Sequence, residues 1–253
     1  MSNIYALFVA SGDRPCIIEG DTVRLRYDEL DTATAAYANA LVAAGARVGD
    51  RVVVQVEKSV ENVLLYLGAI RAGLVYVPLN TAYTAAELDY FIGDAEPAIV
   101  VCDPAKAERI GAVCGSATLL TLGTDGRGTL IDRLAPGPFE TVARDADDLA
   151  AILYTSGTTG RSKGAMLSHG NLSSNALVLK DYWRWQDGDV LIHALPIYHV
   201  HGLFVAIHGA MLNGSTMLFH KSFDADAVLA DFGRATILMG VPTFYVRLAA
   251  HPG

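Results

Sequence analysis

The sequence predicts an α/β fold with largely parallel sheets flanked by helices. Three observations carry that expectation. Short apolar, β-branched runs alternate with stretches whose apolar residues recur every three or four positions, turn or cap signals mark each change of period, and no repeat or low-complexity segment interrupts the alternation. At 253 residues the chain can make one large domain or two small ones.

After a short N-terminal helix, Pro15 to Glu19 and Thr22 to Arg26 read as a hairpin turning at Gly20 and Asp21. Leu30, Thr34, Tyr37 and Leu41 then share one helical face, and Gly45 is placed to end that helix. Arg51 to Val56 is a strand. The next helix buries Val60, Val63, Leu64, Leu67 and Ile70 and stops at Gly73, and Leu74 to Leu79 returns to strand. Thr84 and Glu87 have capping-box spacing, so the following helix starts there and runs to about Ile92, before the buried strand Ala98 to Cys102.

From about Lys106 to Asp148 the pattern is least regular, with Thr118 to Leu122 as one more strand. Gly126 to Gly128 lack the third glycine and the strand-to-helix setting of a dinucleotide fingerprint, so they read as a turn. Leu149 to Leu153 is a buried strand delivering YTSGTTGRSKGAM, Tyr154 to Met166, which reads as one loop. Beyond it, Leu172, Ala176 and Leu179 suit a helix reaching Tyr182. There follow a strand from Val190 to Leu195, a loop from Pro196 to His201, a helix carrying Leu203, Ile207 and Met211 and ending at Gly214, and a strand from Ser215 to Phe219. A helix from Asp224, a strand from Thr236 to Val241 and a helix over Thr243 to Leu248 close the pattern.

Composition narrows the function. Hydrophobic residues make up 52% and charged ones 18%, against about 25% charged in typical soluble domains, so much surface is destined for burial. With 19 basic and 27 acidic residues the net charge is −8, and no basic run exists to hold nucleic acid. No apolar run approaches the roughly 18 residues of a membrane span. Cys16, Cys102 and Cys114 are widely spaced and form no C-x-x-C pair, and MSNIYALFVASGDRP has no basic leader, so a cytoplasmic protein is expected.

The Tyr154 to Met166 stretch has a phosphate-handling composition. Three glycines let backbone N–H groups approach anionic oxygens, six hydroxyls add donors, and Lys163 adds charge. It is not a Walker loop. Counted from Gly157, that pattern wants glycine where Ser162 stands and a hydroxyl residue where Gly164 follows Lys163.

The wording YTSGTTGRSKGAMLSHGNL, with RAGLVYVPLNTAYTAAELDYFI from Arg71, ALPIYHVHGL from Ala194 and GVPTFYVRL from Gly240, resembles the adenylate-forming acyl-CoA synthetases, the AMP-binding enzymes. Within that superfamily it is most similar to the malonyl-CoA synthetases. The resemblance implies an N-terminal AMP-binding domain and two-step chemistry: a carboxylate attacks the α-phosphate of ATP, giving an acyl-adenylate and pyrophosphate, and the thiol of coenzyme A then displaces AMP. It implies that Thr155, Ser156, Gly157, Thr158, Thr159 and Gly160 hold the ATP phosphates, that Lys163 neutralises departing pyrophosphate, and that Thr155 lies near Mg2+.

The resemblance further places His199 beside the reacting carboxylate, and Arg247 as the guanidinium that pairs with the second carboxylate of malonate or methylmalonate. Tyr245 or Phe244 can line the same pocket or belong to the core. His199 and His201 form H-x-H with His193 and His208 near, but without cysteine or a carboxylate cluster this is a thin zinc motif, and packing roles suit His193, His208 and His220. Arg247 can also be a solvated helix arginine.

Members of that family are much longer. The adenine-binding segment, the acidic residue on magnesium, the ribose aspartate and the mobile C-terminal domain are not found in these residues. Residues 1–253 are therefore expected to be a partial N-terminal AMP-binding domain, an acid–CoA ligase fragment inactive by itself. The alternatives are a catalytically silent nucleotide-binding or interaction fragment pairing through an unfinished sheet edge, or a ligase for another acid.

Overall fold

Arg51–Gln55, Val75–Pro78 and Ile99–Cys102 are buried along nearly their whole lengths, as strands covered on both faces must be. In the computed structural model, which describes residues 3–8, 12–155 and 162–252, they form the centre of a six-stranded sheet. Numbered along the chain, they are β3, β4 and β5. Thr118–Thr121 (β6) lies beyond β5, and Leu149–Thr155 (β7) lies beyond β4, all in parallel. Lys163–Ser168 (β8) closes that edge antiparallel to β7. This sheet belongs to the first of two compact units, Met1–Ala6 with Asp31–Ser173.

The helices of this unit start and stop where local chemistry dictates. Helix α1 is Leu30–Ala43, and α2 is Val60–Arg71, where Ser59 accepts from the N–H of Asn62. A Cβ on Gly68 of α2 would stand 2.6 Å from the Cβ of Tyr37, so this glycine sets the close crossing of α2 on α1. Helix α3, Ala85–Ala95, opens on the full Thr84–Glu87 capping box and ends at Glu96 in a left-handed conformation. Its Leu88, Phe91 and Ile92 pack with Val53, Val77, Val100 and Cys102. The irregular middle holds a short helix, α4 (Ala107–Gly111), that its five residues were too few to signal as a period.

The second unit, Leu7–Leu30 with Ser174–Gly253, has a five-stranded sheet. The hairpin Pro15–Glu19 (β1) and Thr22–Arg26 (β2) forms as expected, and β1 also pairs in parallel with Thr216–Phe219 (β10), Ile17 opposite Met217. Val190–His193 (β9) follows β10, and Ile237–Leu238 (β11) is outermost. Tyr27 ties the hairpin down by donating its hydroxyl to the carbonyl of Ser215 at 2.7 Å. The core holds Ile192, Ala194, Leu218 and Val228. Helix α5, His169–Tyr182, has its first five residues in the first unit and the rest in the second; α6 (His208–Asn213) continues a π-helical stretch over His201–Ile207; α7 is Ala225–Ala230, capped by Asp224; and α8 is Pro242–Ala249.

Three expectations need correction. Tyr154 to Met166 is not one loop, because its first two residues finish β7 and its last four begin β8. The Thr236 to Val241 strand shrinks to Ile237–Leu238, since the Thr236 hydroxyl is spent on the N–H of Val190 and Pro242 starts α8. The N-terminal helix is a 3-10 turn over Ile4–Phe8.

Candidate functional site

In the first unit, the register of β7 and β8 pairs Thr155 directly with Lys163. Directly opposed residues of an antiparallel pair project to one face, so the hydroxyl and the ammonium stand side by side where the two strands part. Both residues are exposed. Ser156, Gly157, Thr158, Thr159 and Gly160 lie between them in sequence and fall outside the described residues. The described pair sets one hydroxyl donor and one cation on a common face.

In the second unit, β9 leads into the segment bearing His199. His193, the last residue of β9, is buried and donates from Nε2 to the carbonyl of Gly202 at 2.9 Å, while a Cβ on Gly202 would overlap the carbonyl oxygen of Pro196. The 194–202 turn is thereby pinned at both ends. His199 is exposed within it, its ring 4.5 Å from that of Tyr198. Partial desolvation lowers the pKa of His199 and of His201, favouring neutral imidazoles. The helix after the turn begins with π geometry, a widening often found at functional sites.

A cavity of about 390 Å³ lies in this unit, lined by Trp183, Trp185, His201, Tyr245 and the 237–240 segment. Tyr245 lines it, whereas Phe244 stacks on Phe223 at 3.9 Å. Arg247 is exposed on α8 with its guanidinium 4.7 Å from the Phe223 ring centroid, and neither it nor His199 lines this cavity. Trp183 and Trp185 were missed in the sequence, and His201 was marked there only through its H-x-H spacing with His199. The only signal for the tryptophans was the aromatic spacing of YWRW, which a buried turn produces equally well.

The remaining histidines are held by packing and pairing. His208 lies between Phe8 and Phe204, at ring distances of 4.9 and 5.5 Å, and burial pushes its pKa down to about 3. His220 Nε2 is 2.9 Å from Asp231 Oδ2. Among the described residues no group of three or more His, Cys, Asp or Glu side chains could hold a metal ion. Thr155 alone suits magnesium only as a minor partner of an ion held chiefly by phosphate oxygens and water, and that is how magnesium usually binds at such sites.

An exposed hydroxyl–lysine rung closes the edge of a largely parallel sheet flanked by helices, which defines the class as an α/β protein. The chain belongs to the AMP-binding enzyme family, whose model matches residues 8–253. It is 35% identical over 231 residues to a feruloyl-CoA synthase of Amycolatopsis sp, covering 90% of this chain and 46% of that protein. It is 33% identical over 216 residues to the mitochondrial malonate–CoA ligase of Mus musculus, covering 81% and 37%.

The crystal structure of apo MatB from Rhodopseudomonas palustris superposes with a TM-score of 0.95 at 55% identity, over all of this chain and 52% of that one; the same protein with ATP bound matches equally well, at 56%. The fold is thus that of the N-terminal domain of adenylate-forming enzymes. The chain spans about half the length of these curated relatives. No helix among the described residues is long and apolar enough to cross a membrane.

Proposed function

We propose that this chain supplies the pyrophosphate-side part of an ATP-dependent acid–CoA ligase acting on malonate or methylmalonate. The observation that carries the reading is the 55% identity to MatB across the whole chain, together with the malonate–CoA ligases among its relatives.

In the first step a carboxylate oxygen bonds to the α-phosphorus of ATP and the bond to pyrophosphate breaks. In the second, the sulfur of coenzyme A bonds to the acyl carbon and AMP leaves. Thr155, Ser156, Thr158 and Thr159 donate to the β- and γ-phosphates, assisted by backbone amides at Gly157 and Gly160, and Lys163 offsets the charge of the leaving pyrophosphate. Magnesium, when bound, would screen that charge, and Thr155 is the hydroxyl of this chain suited to complete its shell. His199 lines the approach of the acid, as a neutral imidazole.

Arg247 selects the acid. Its contact with Phe223 engages one face of the guanidinium and leaves the N–H fork free for a second carboxylate. The relatives include a feruloyl-CoA synthase, an oxalate–CoA ligase and a malonate–CoA ligase, so the acid is what distinguishes members of this family from one another. A cytoplasmic setting suits the three buried free cysteines, with Cys16 and Cys102 thiols pushed up to about 12 chiefly by burial.

A second reading is favoured by the partial coverage of the relatives: the 253-residue polypeptide by itself is catalytically silent. Partner pairing through the outer edge of β11 rests on strand order alone.

The deciding experiment is acid-dependent ATP–pyrophosphate exchange with malonate, methylmalonate and ferulate. It is run on this chain alone and on the polypeptide read through the DNA beyond codon 253. Exchange with malonate by the longer polypeptide only is the expected result. Exchange by the chain alone would remove the silent reading, and preference for ferulate would remove the malonate assignment.

A further inference from the structure

Helix α3 reaches both strands at the point where they part. Tyr90 donates its hydroxyl to the carbonyl of Ser162 at 2.8 Å, just before Lys163. One turn further on, Asp94 Oδ2 accepts the hydroxyl of Tyr154 at 2.6 Å, just before Thr155. Residues four apart share a helix face, so one face of α3 holds both sides. Between these bonds the rings interlock: Tyr154 lies 4.5 Å from Phe91 and 6.4 Å from Tyr90, centroid to centroid.

The opposing strand leaves room for this. Gly164 faces Tyr154 across the ladder, and a Cβ there would stand 2.8 Å from Ile152 and 3.5 Å from the Tyr154 ring. Successive strand residues alternate in direction. With Tyr154 committed to α3, the Thr155–Lys163 rung is turned to the opposite face, where neither side chain is covered. Burial, and then the Asp94 carboxylate, raise the Tyr154 pKa, so its phenol keeps the proton it donates.

We propose that Tyr90 and Asp94 are positioning residues that fix Thr155 and Lys163 on one side of the sheet as a preset pair for a polyphosphate anion. This rests on the phosphate reading of that pair, and it adds a brace on α3 that touches no ligand. It predicts that loosening the brace costs anion affinity without unfolding the unit, because Tyr90 and Asp94 lie at the edge of the core whereas Leu88, Phe91 and Ile92 carry the packing.

The test compares the 253-residue chain with its Tyr90→Phe and Asp94→Asn variants, using Asp89→Asn, an exposed acid on the same helix, as the control. Amide exchange at 155 and 162–164 is expected to rise about fivefold or more in both variants while β3 and β5 stay protected. Affinity for magnesium pyrophosphate, by titration calorimetry, is expected to fall about threefold to tenfold, with the thermal midpoint near that of the parent and Asp94→Glu recovering part of the loss. Unchanged exchange overturns the brace. Raised exchange with unchanged affinity overturns its role in presenting the pair. A parent chain that binds no pyrophosphate defeats the phosphate reading and the inference with it, an outcome distinct from parent binding that the variants match.

Discussion

Gly202 lies so close under the carbonyl oxygen of Pro196 that no side chain fits between them, and the carbonyl of the same glycine accepts a hydrogen bond from His193 Nε2. The turn carrying His199 is therefore set by a backbone contact. Gly202→Ala is expected to destabilise the protein by about 1–3 kcal/mol, as overpacking does. Gly233→Ala, with nothing within 4 Å of its added carbon, should stay within about 0.5 kcal/mol of the parent. Chemical denaturation of both variants checks this, and equal midpoints would show that the turn yields freely.

His169 should make the first unit acid-sensitive. Its Nδ1 accepts from the N–H of Ile4 at 3.2 Å, which requires that nitrogen to be unprotonated. Burial first, and Arg144 second, push its pKa from 6.5 down to about 4, with Asp148 opposing. The folded pKa is depressed, so the unfolded chain binds more protons in between. The contribution is complete above pH 6.5 and is lost as pH falls towards 4, amounting to about 3 kcal/mol at most. Stability followed by urea denaturation between those pH values should fall less steeply in His169→Gln, and parallel curves would contradict this origin.

Arg71 is expected to be the costliest surface-distant substitution in the first unit. Buried at the end of α2, it donates to the carbonyls of Asp31 and Phe139 at 2.6 Å each and to the Thr34 hydroxyl at 3.0 Å, and pairs with the Asp31 carboxylate at 2.7 Å. Arg71→Leu strands buried acceptors and should destabilise by about 2–4 kcal/mol. Arg71→Lys should recover less than half of this, since an ammonium cannot fork. Amide exchange at Val142, whose N–H donates to the Arg71 carbonyl, should rise in both.

Lys163→Met tests the anion pair directly. The side chain is exposed, so the melting temperature should hold, whereas affinity for magnesium pyrophosphate should drop about tenfold at low salt. The gap between parent and variant should narrow as ionic strength rises. A gap indifferent to salt would point to a packing effect instead.

The sequence made α3 legible because Thr84 and Glu87 sit at capping-box spacing ahead of a clear apolar stripe, and the structure has the box in full. β8 was hidden for the opposite reason. Its KGAMLS has an edge-strand burial pattern with little buried surface, so nothing distinguished it from the glycine-rich residues before it. The Thr155–Lys163 rung depends on that strand and was hidden with it. The cavity residues Trp183 and His201 come together through folding of β11 beside β9, a pairing between segments that carry no local mark of one another.

The parallel pairing of Ile17 with Met217 has a consequence for how the molecule is made. The hairpin emerges from the ribosome early, but the strand it must join is translated some 200 residues later, roughly 10–40 s at ordinary elongation speeds. The six-stranded sheet uses only residues between Arg51 and Ser168 and can close while synthesis continues. For that interval the edge of β1 that will join β10 waits for its partner, which makes the hairpin the stretch of this chain that a holding chaperone would most usefully cover.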